Sequence, residues 1–197
     1  MQDSRSNADR TRETRAALIR AARALFLEKG YAETGTPELA DRAGVTRGAL
    51  YHHFADKRAI FLAVVEAEAT EIAAGIDDAG AAAADTPLGA LLAGAQAYFR
   101  VMRAPGRTRL MLLEGPAVLG TAEMRRIDLG SGGRTLRAGL AALIGTRLTE
   151  AEIDARAELL SALFDRATLA IEAGADQRIY EEAVTALLPL LVGVPSG

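Results

Sequence analysis

The chain has 197 residues, half of them apolar, no cysteine and a formal net charge of −3 at pH 7. That length suits one compact domain, or a small domain beside a larger one, with enough apolar side chains for a sizeable core. The missing cysteines exclude disulfides and thiolate metal sites, and no apolar run has the length of an uncharged membrane span.

Met1 to Arg15 is polar and Arg-rich, unlike a secretory leader, so a cytoplasmic location is expected. The acidic total argues against a nucleic-acid partner until it is divided. Residues 1–60 carry 11 Lys and Arg against 8 Asp and Glu, while residues 61–197 carry 12 against 18. A basic head on an acidic body suggests that only the head meets phosphate.

Residues 1–9 are expected to form a flexible basic arm bearing Arg5, with Arg10 and Arg12 close behind. Ala17, Leu18, Ala21, Ala22, Leu25 and Phe26 recur at helical spacing and predict a first helix over Arg10 to Lys29, ended by Gly30. Thr36 before Pro37 predicts a capped second helix running to about Ala43. Gly44 permits a tight turn. Thr46 caps a third helix that ends near His53. Asp56 caps a fourth, about Lys57 to Ala79, with Ile60, Val64, Ala67 and Ile72 on one stripe. A loop follows to Pro87, then a fifth helix over Leu88 to Met102. Pro105-Gly106 breaks the chain before a short helix over Arg107 to Leu113. Segments around Ala122 to Ile127 and Arg134 to Ile144 flank a Gly130–Gly133 loop. Thr149 caps a long helix to about Ala173, and a last helix covers Asp176 to Leu191. No β-strand alternation occurs. The expected fold is all-α with about nine helices and no internal repeat.

The stretch from Thr36 to Lys57 is the most informative. Two short helices around Gly44 match a helix-turn-helix, whose second helix enters the DNA major groove. Ala40, Ala43-Gly44-Val45-Thr46, Gly48, Leu50-Tyr51-His52-His53-Phe54 and Lys57 together resemble the DNA-binding motif of the TetR/AcrR family of bacterial repressors. The resemblance runs from about Ala17 to Val65. It implies a helix-turn-helix DNA-binding domain over 1–58 and a ligand-binding and dimerisation domain over 59–197. It also implies a homodimer on palindromic double-stranded DNA, released by a small-molecule effector, with no membrane role, no cofactor and no enzymatic activity.

If the third helix docks as the resemblance implies, Arg47 lies in the turn facing the bases. A cation there opposes the helix dipole, and a guanine with two acceptors offsets that cost. Gly48 lets backbone approach the groove floor. Thr36 and Thr46 are expected helix caps that can also bond a phosphate. The resemblance implies phosphate contacts for the Tyr51 hydroxyl and for Lys57. His53, with His52 beside it, is expected to meet phosphate. The two histidines diverge by about 100 degrees around the helix and cannot share a metal. Leu39, Ala40, Val45, Leu50 and Phe54 are expected core.

In the body, Leu110 to Gly120 with Arg125–Asp128 looks like a variant of the same family's ligand domain. Tyr98, Phe99, Met102, Leu110, Leu113, Glu114 and Phe164 are candidate pocket residues by periodicity and position. Ordinary core packing competes with that role at each, and for Glu114 an internal ion pair with Arg109 or Arg125 competes with a cationic ligand. Broad apolar faces on the last two helices suggest a two-fold four-helix bundle. Leu159, Leu163, Val184, Leu187, Leu188 and Leu191 would be its apolar contacts, and Asp165 and Arg166 its polar ones. Gly130-Ser-Gly-Gly-Arg-Thr135 lacks the Gly-Lys-Ser/Thr ending and the preceding strand of a phosphate-binding loop. The alternative function is an all-α small-molecule-binding protein or enzyme with a vestigial DNA-binding head.

Overall fold

The computed structural model describes residues 7–83 and 85–191. Among them every regular element is helical. The α-helices are α1 Asn7–Glu33, α2 Thr36–Ala43, α3 Arg47–His53, α4 Lys57–Ala82, α5 Pro87–Met102, α6 Gly115–Leu119, α7 Thr121–Leu129, α8 Gly132–Ile144, α9 Glu150–Glu172 and α10 Gln177–Leu191. A π-helical segment, Arg109–Glu114, leads directly into α6, and a 3₁₀ turn, Gly145–Arg147, follows α8.

Local chemistry sets most of the helix starts. The side chains of Thr46, Asp56, Thr86 and Thr149 each accept a hydrogen bond from a first-turn N–H of α3, α4, α5 and α9 respectively. At Thr149 the bond is reciprocated by Glu152, a complete capping box. Gly44 closes α2 with φ +68°, and its N–H bonds back to the carbonyls of Ala40 and Asp41. A side chain there would strain the left-handed backbone that aims α3 away from α2.

Several boundaries differ from the sequence expectation. Residues 7–9 belong to α1 and not to a flexible arm, while residues 1–6, with Arg5, lie outside the described residues. Gly30 bends the end of α1 instead of ending it. Helix α4 runs on to Ala82, and α8 begins inside the expected glycine loop, at Gly132. Thr36 is the first residue of α2 and not its cap; Gly35 holds the cap position.

Helix α4 is the axis of the molecule. It packs against α1 on one side and against α5 and α8 on the other. One apolar core runs without a break from Leu18, Phe26, Leu39, Leu50 and Phe54 through Phe61 and Val64 to Met102, Leu110 and Ile127. Phe26, Tyr31 and Phe61 stack as a trio with ring centroids 5.0–5.8 Å apart. A second core joins Phe99, Leu140, Leu160, Phe164, Val184 and Leu188. One charged link between the N-terminal helices and the rest is Glu68, 3% exposed. Its two oxygens accept from Arg23 Nε at 2.5 Å and Arg107 Nε at 2.6 Å. Burial raises the affinity of this carboxyl for its proton, but the two arginines outweigh burial and hold it below the ordinary range.

Candidate functional site

Leu39, Ala40, Leu50 and Phe54 are buried and fasten α2 and α3 to α1. What α3 leaves outside is its first turn and one long face. Thr46, Arg47, Gly48, Tyr51 and His52 are exposed, and His53 is half-buried. Among the described residues Arg47 has no hydrogen-bond or ion-pair partner. A Cβ added to Gly48 would find nothing nearer than the Thr46 hydroxyl at 3.9 Å, so no neighbour in the chain requires glycine there. The Tyr51 hydroxyl lies 3.0 Å from Thr36 Oγ1, which places two hydroxyls together at the N-terminus of α2. The rings of His52 and His53 meet edge to face at 5.4 Å. Burial lowers the His53 pKa, with His52 and then Arg15 adding to the effect, which favours its neutral imidazole.

Lys57 has a structural task as well as an exposed side. Its Nζ donates to the carbonyls of Tyr31 at 2.8 Å and Ala32 at 3.2 Å, and sits 4.3 Å from the centre of the Tyr31 ring. Those bonds satisfy carbonyls at the end of α1. An ammonium has three protons, so one remains for an outside acceptor.

A cavity of about 690 Å³ opens in the body between α4, α5, α7, α8, α9 and the π-helical segment. Tyr98, Met102 and Phe164 line it, as the sequence suggests. The other four candidates are elsewhere. Phe99 packs in the second core and Leu110 in the first. Leu113 is 51% exposed on the surface. Glu114 lies with Oε1 3.1 Å from Arg109 Nε and accepts the Tyr31 N–H at 3.3 Å, so it serves the junction with α1 and not the cavity.

Four lining carboxylates, Asp77, Asp128, Glu158 and Asp165, escape the sequence reading of the pocket. Asp165 accepts the Tyr98 hydroxyl at 2.8 Å. Asp128 accepts the Ser161 hydroxyl at 3.2 Å and the Gly133 N–H at 3.1 Å. Burial raises both carboxyls, Asp165 to about 6, where the Tyr98 bond works against the rise and Asp128 adds to it. Asp165 was expected at a dimer contact and instead faces inward. Val184 and Leu188, also expected there, are buried in the second core of their own chain. Leu159, Arg166, Leu187 and Leu191 are exposed and Leu163 half-buried. Among the described residues no three His, Asp or Glu side chains converge as metal ligands, and no helix is long and apolar enough to cross a membrane.

Two separate stretches of the chain match known families. Residues 18–64 match the family described as bacterial regulatory proteins, tetR family. Residues 88–194 match the tetracyclin repressor-like C-terminal domain. The HTH-type transcriptional activator FasR of Mycolicibacterium smegmatis is 39% identical over 67 residues, 34% of this chain and 31% of that protein. The HTH-type transcriptional repressor BepR of Brucella suis is 49% identical over 53 residues, 27% of this chain and 25% of that one. The chain thus spans about a third or less of these curated relatives. Similarity to solved structures extends over nearly the whole chain. A TetR-family transcriptional regulator from Pectobacterium atrosepticum is 31% identical with a TM-score of 0.71, covering 98% of this chain and 99% of that one. RolR, solved in complex with the ligand resorcinol, shares the fold at 19% identity and a TM-score of 0.68, covering 96% and 97%. The chain belongs to the TetR family of bacterial regulatory proteins.

Proposed function

We propose that the chain is a sequence-specific transcriptional repressor that binds a palindromic operator as a homodimer and is released by a small molecule held in the body cavity. Residues 1–58 read the DNA, and residues 59–197 hold the effector and the partner subunit. The observation that supports this most is the first turn of α3, where Arg47 is unpaired and Gly48 is glycine with no internal reason to be. Arg47 reads a base edge, and Gly48 lets the helix backbone come close to the groove. The paired hydroxyls of Thr36 and Tyr51, with Thr46, His52, His53 and the third proton of Lys57, hold the backbone phosphates on either side. In a two-fold dimer the two α3 helices would lie about 34–36 Å apart, one turn of DNA.

The cavity supports the effector half of the proposal. Its walls include Met111 and Leu112 of the π-helical segment. The same segment carries Arg109, which donates to the carbonyls of Phe26 and Leu27 in α1. A ligand that moves this wall acts on the helix supporting α3. It shifts the DNA-binding equilibrium by its unequal affinity for the two positions. RolR, a protein of the same fold, holds a small ligand, which is in keeping with this use of the body.

Selection from a random DNA library over a range of salt concentrations tests the proposal. The expected product is a palindrome. Arg47→Ala should relax preference at one base pair in each half-site, whereas Lys57→Ala should weaken all sequences alike and flatten the salt dependence. Equal loss of specificity in both variants would refute the assigned roles. If no palindrome is enriched at any salt, the head is vestigial and the chain is a small-molecule-binding protein.

A further inference from the structure

The body cavity is lopsided in charge. Four acidic side chains line it, Asp77, Asp128, Glu158 and Asp165, against one basic side chain, Arg125. That arginine is already engaged, with Nη2 2.9 Å from Glu158 Oε2 and Nε 3.3 Å from Oε1. Asp77 accepts the Thr135 hydroxyl at 2.8 Å. Asp165 and Asp128 are different. They project from α9 and α7 into a region walled by apolar side chains, and among the described residues neither has a cationic partner. Their bonds among the described residues come from neutral donors, Tyr98 for one, Ser161 and a backbone N–H for the other.

Two half-buried carboxylates lining one cavity without a base are costly to keep ionised. Each retains unused acceptor positions, because a carboxylate offers about four. The rings of Tyr98 and Phe164, 5.2 Å apart, line the same part of the cavity and offer faces that attract cations. The remainder of the wall, including Ile72, Leu91 and Met124, suits an apolar body. A neutral or anionic ligand would leave the two acids uncompensated. A ligand cation would answer both.

We propose that the effector is an apolar molecule bearing a protonated amine, seated with its ammonium group between Asp165 and Asp128. This rests on the reading of the cavity as the effector site. Three probes with one apolar body test it: anthracenylmethylamine, anthracenemethanol and anthracenecarboxylate. The chain has no tryptophan, so anthracene fluorescence reports transfer into the cavity without overlap from indole. The full-length wild-type chain is titrated with each probe at neutral pH. The amine is expected to bind about ten-fold or more tightly than the alcohol, and the carboxylate most weakly. The paired change Asp165→Asn and Asp128→Asn conserves shape. It should abolish the preference for amine over alcohol.

Equal binding of amine and alcohol, or tightest binding of the carboxylate, by the wild-type chain overturns the ligand class and leaves the cavity as a binding site. An amine preference that survives the paired substitution also overturns it, since the cation must then sit elsewhere. Binding of none of the three probes overturns the effector-site reading itself, and the amine proposal with it. The wild-type series decides the question even if the doubly substituted chain fails to fold.

Discussion

With α3 docked as proposed, a change at Gly48 would separate folding from function. This glycine occupies the first turn of α3, and the space beside it would accept a methyl group. Glycine in a helix costs about 0.5–1 kcal/mol relative to alanine. Gly48→Ala is therefore expected to raise thermal stability while weakening operator binding, because the added methyl meets DNA and nothing in the chain. Paired melting and gel-shift measurements check both signs, and a variant that gains stability with unchanged DNA affinity would remove Gly48 from the interface. Asp165 carries a second residue-scale prediction. Its carboxyl is raised from 3.8 to about 6, first by burial. Between those values the folded chain keeps a proton that the unfolded chain has released, so stability from this group falls as pH rises through the window. The full span is worth at most about 3 kcal/mol. Asp165→Asn removes the titration, so its stability relative to wild type should be higher at pH 7.5 than at pH 5. Denaturant melts of both chains at the two pH values test this, and an identical difference at both would show that Asp165 does not titrate there. Asp165 also marks a limit of the sequence. An aspartate after Phe164 reads equally well as an exposed polar contact, and its burial depends on how α5 and α7 close over α9.

At the scale of elements, the caps are legible because they are local. Thr46, Asp56 and Thr149 each stand one residue before an apolar-periodic run and bond within the next three residues. The π-helical segment is not legible, because long-range bonds accompany its wider turn. Arg109 reaches the carbonyls of Phe26 and Leu27, and Glu114 reaches the Tyr31 N–H. Leu110 between them is fully buried, and Met111 and Leu112 turn to the cavity. Such wide turns are rare and concentrate at functional positions. Here the turn lets consecutive residues serve three surroundings: the end of α1, the core and the cavity. Glu114→Ala should release the bent end of α1. The Tyr31 amide is then expected to exchange with solvent about ten-fold faster or more, with the amides of α9 unchanged. Hydrogen exchange resolved to single amides tests it, and unchanged protection at Tyr31 would mean that the bend at Gly30 holds without this grip.

For the whole molecule, the outer surface of α9 and α10 is the remaining question of packing. Sequence periodicity finds the broad apolar faces of both helices but cannot assign each leucine to its own chain's core or to a partner. The structure divides them. Val184 and Leu188 are consumed inside, whereas Leu159 is 72% exposed and Leu187 is 42% exposed, with Ile179, Leu190 and Leu191 also at the surface. Exposed apolar side chains gathered on two adjacent helices mark an interaction surface, and a two-fold axis through that surface would bring four helices together. Leu159→Glu combined with Leu187→Glu should then leave the fold intact, since neither side chain supports the core. The charges would meet their symmetry mates in a dimer and drive it apart. The variant is expected to sediment as a monomer and to lose about a hundred-fold or more in operator affinity, because the second half-site contact is no longer intramolecular. Val184→Glu is the contrasting case. It places a charge in the core and should unfold the body instead of splitting a dimer. Sedimentation with circular dichroism separates the two outcomes. A Leu159, Leu187 double variant that remains dimeric and binds operator normally would place the partner subunit on another face.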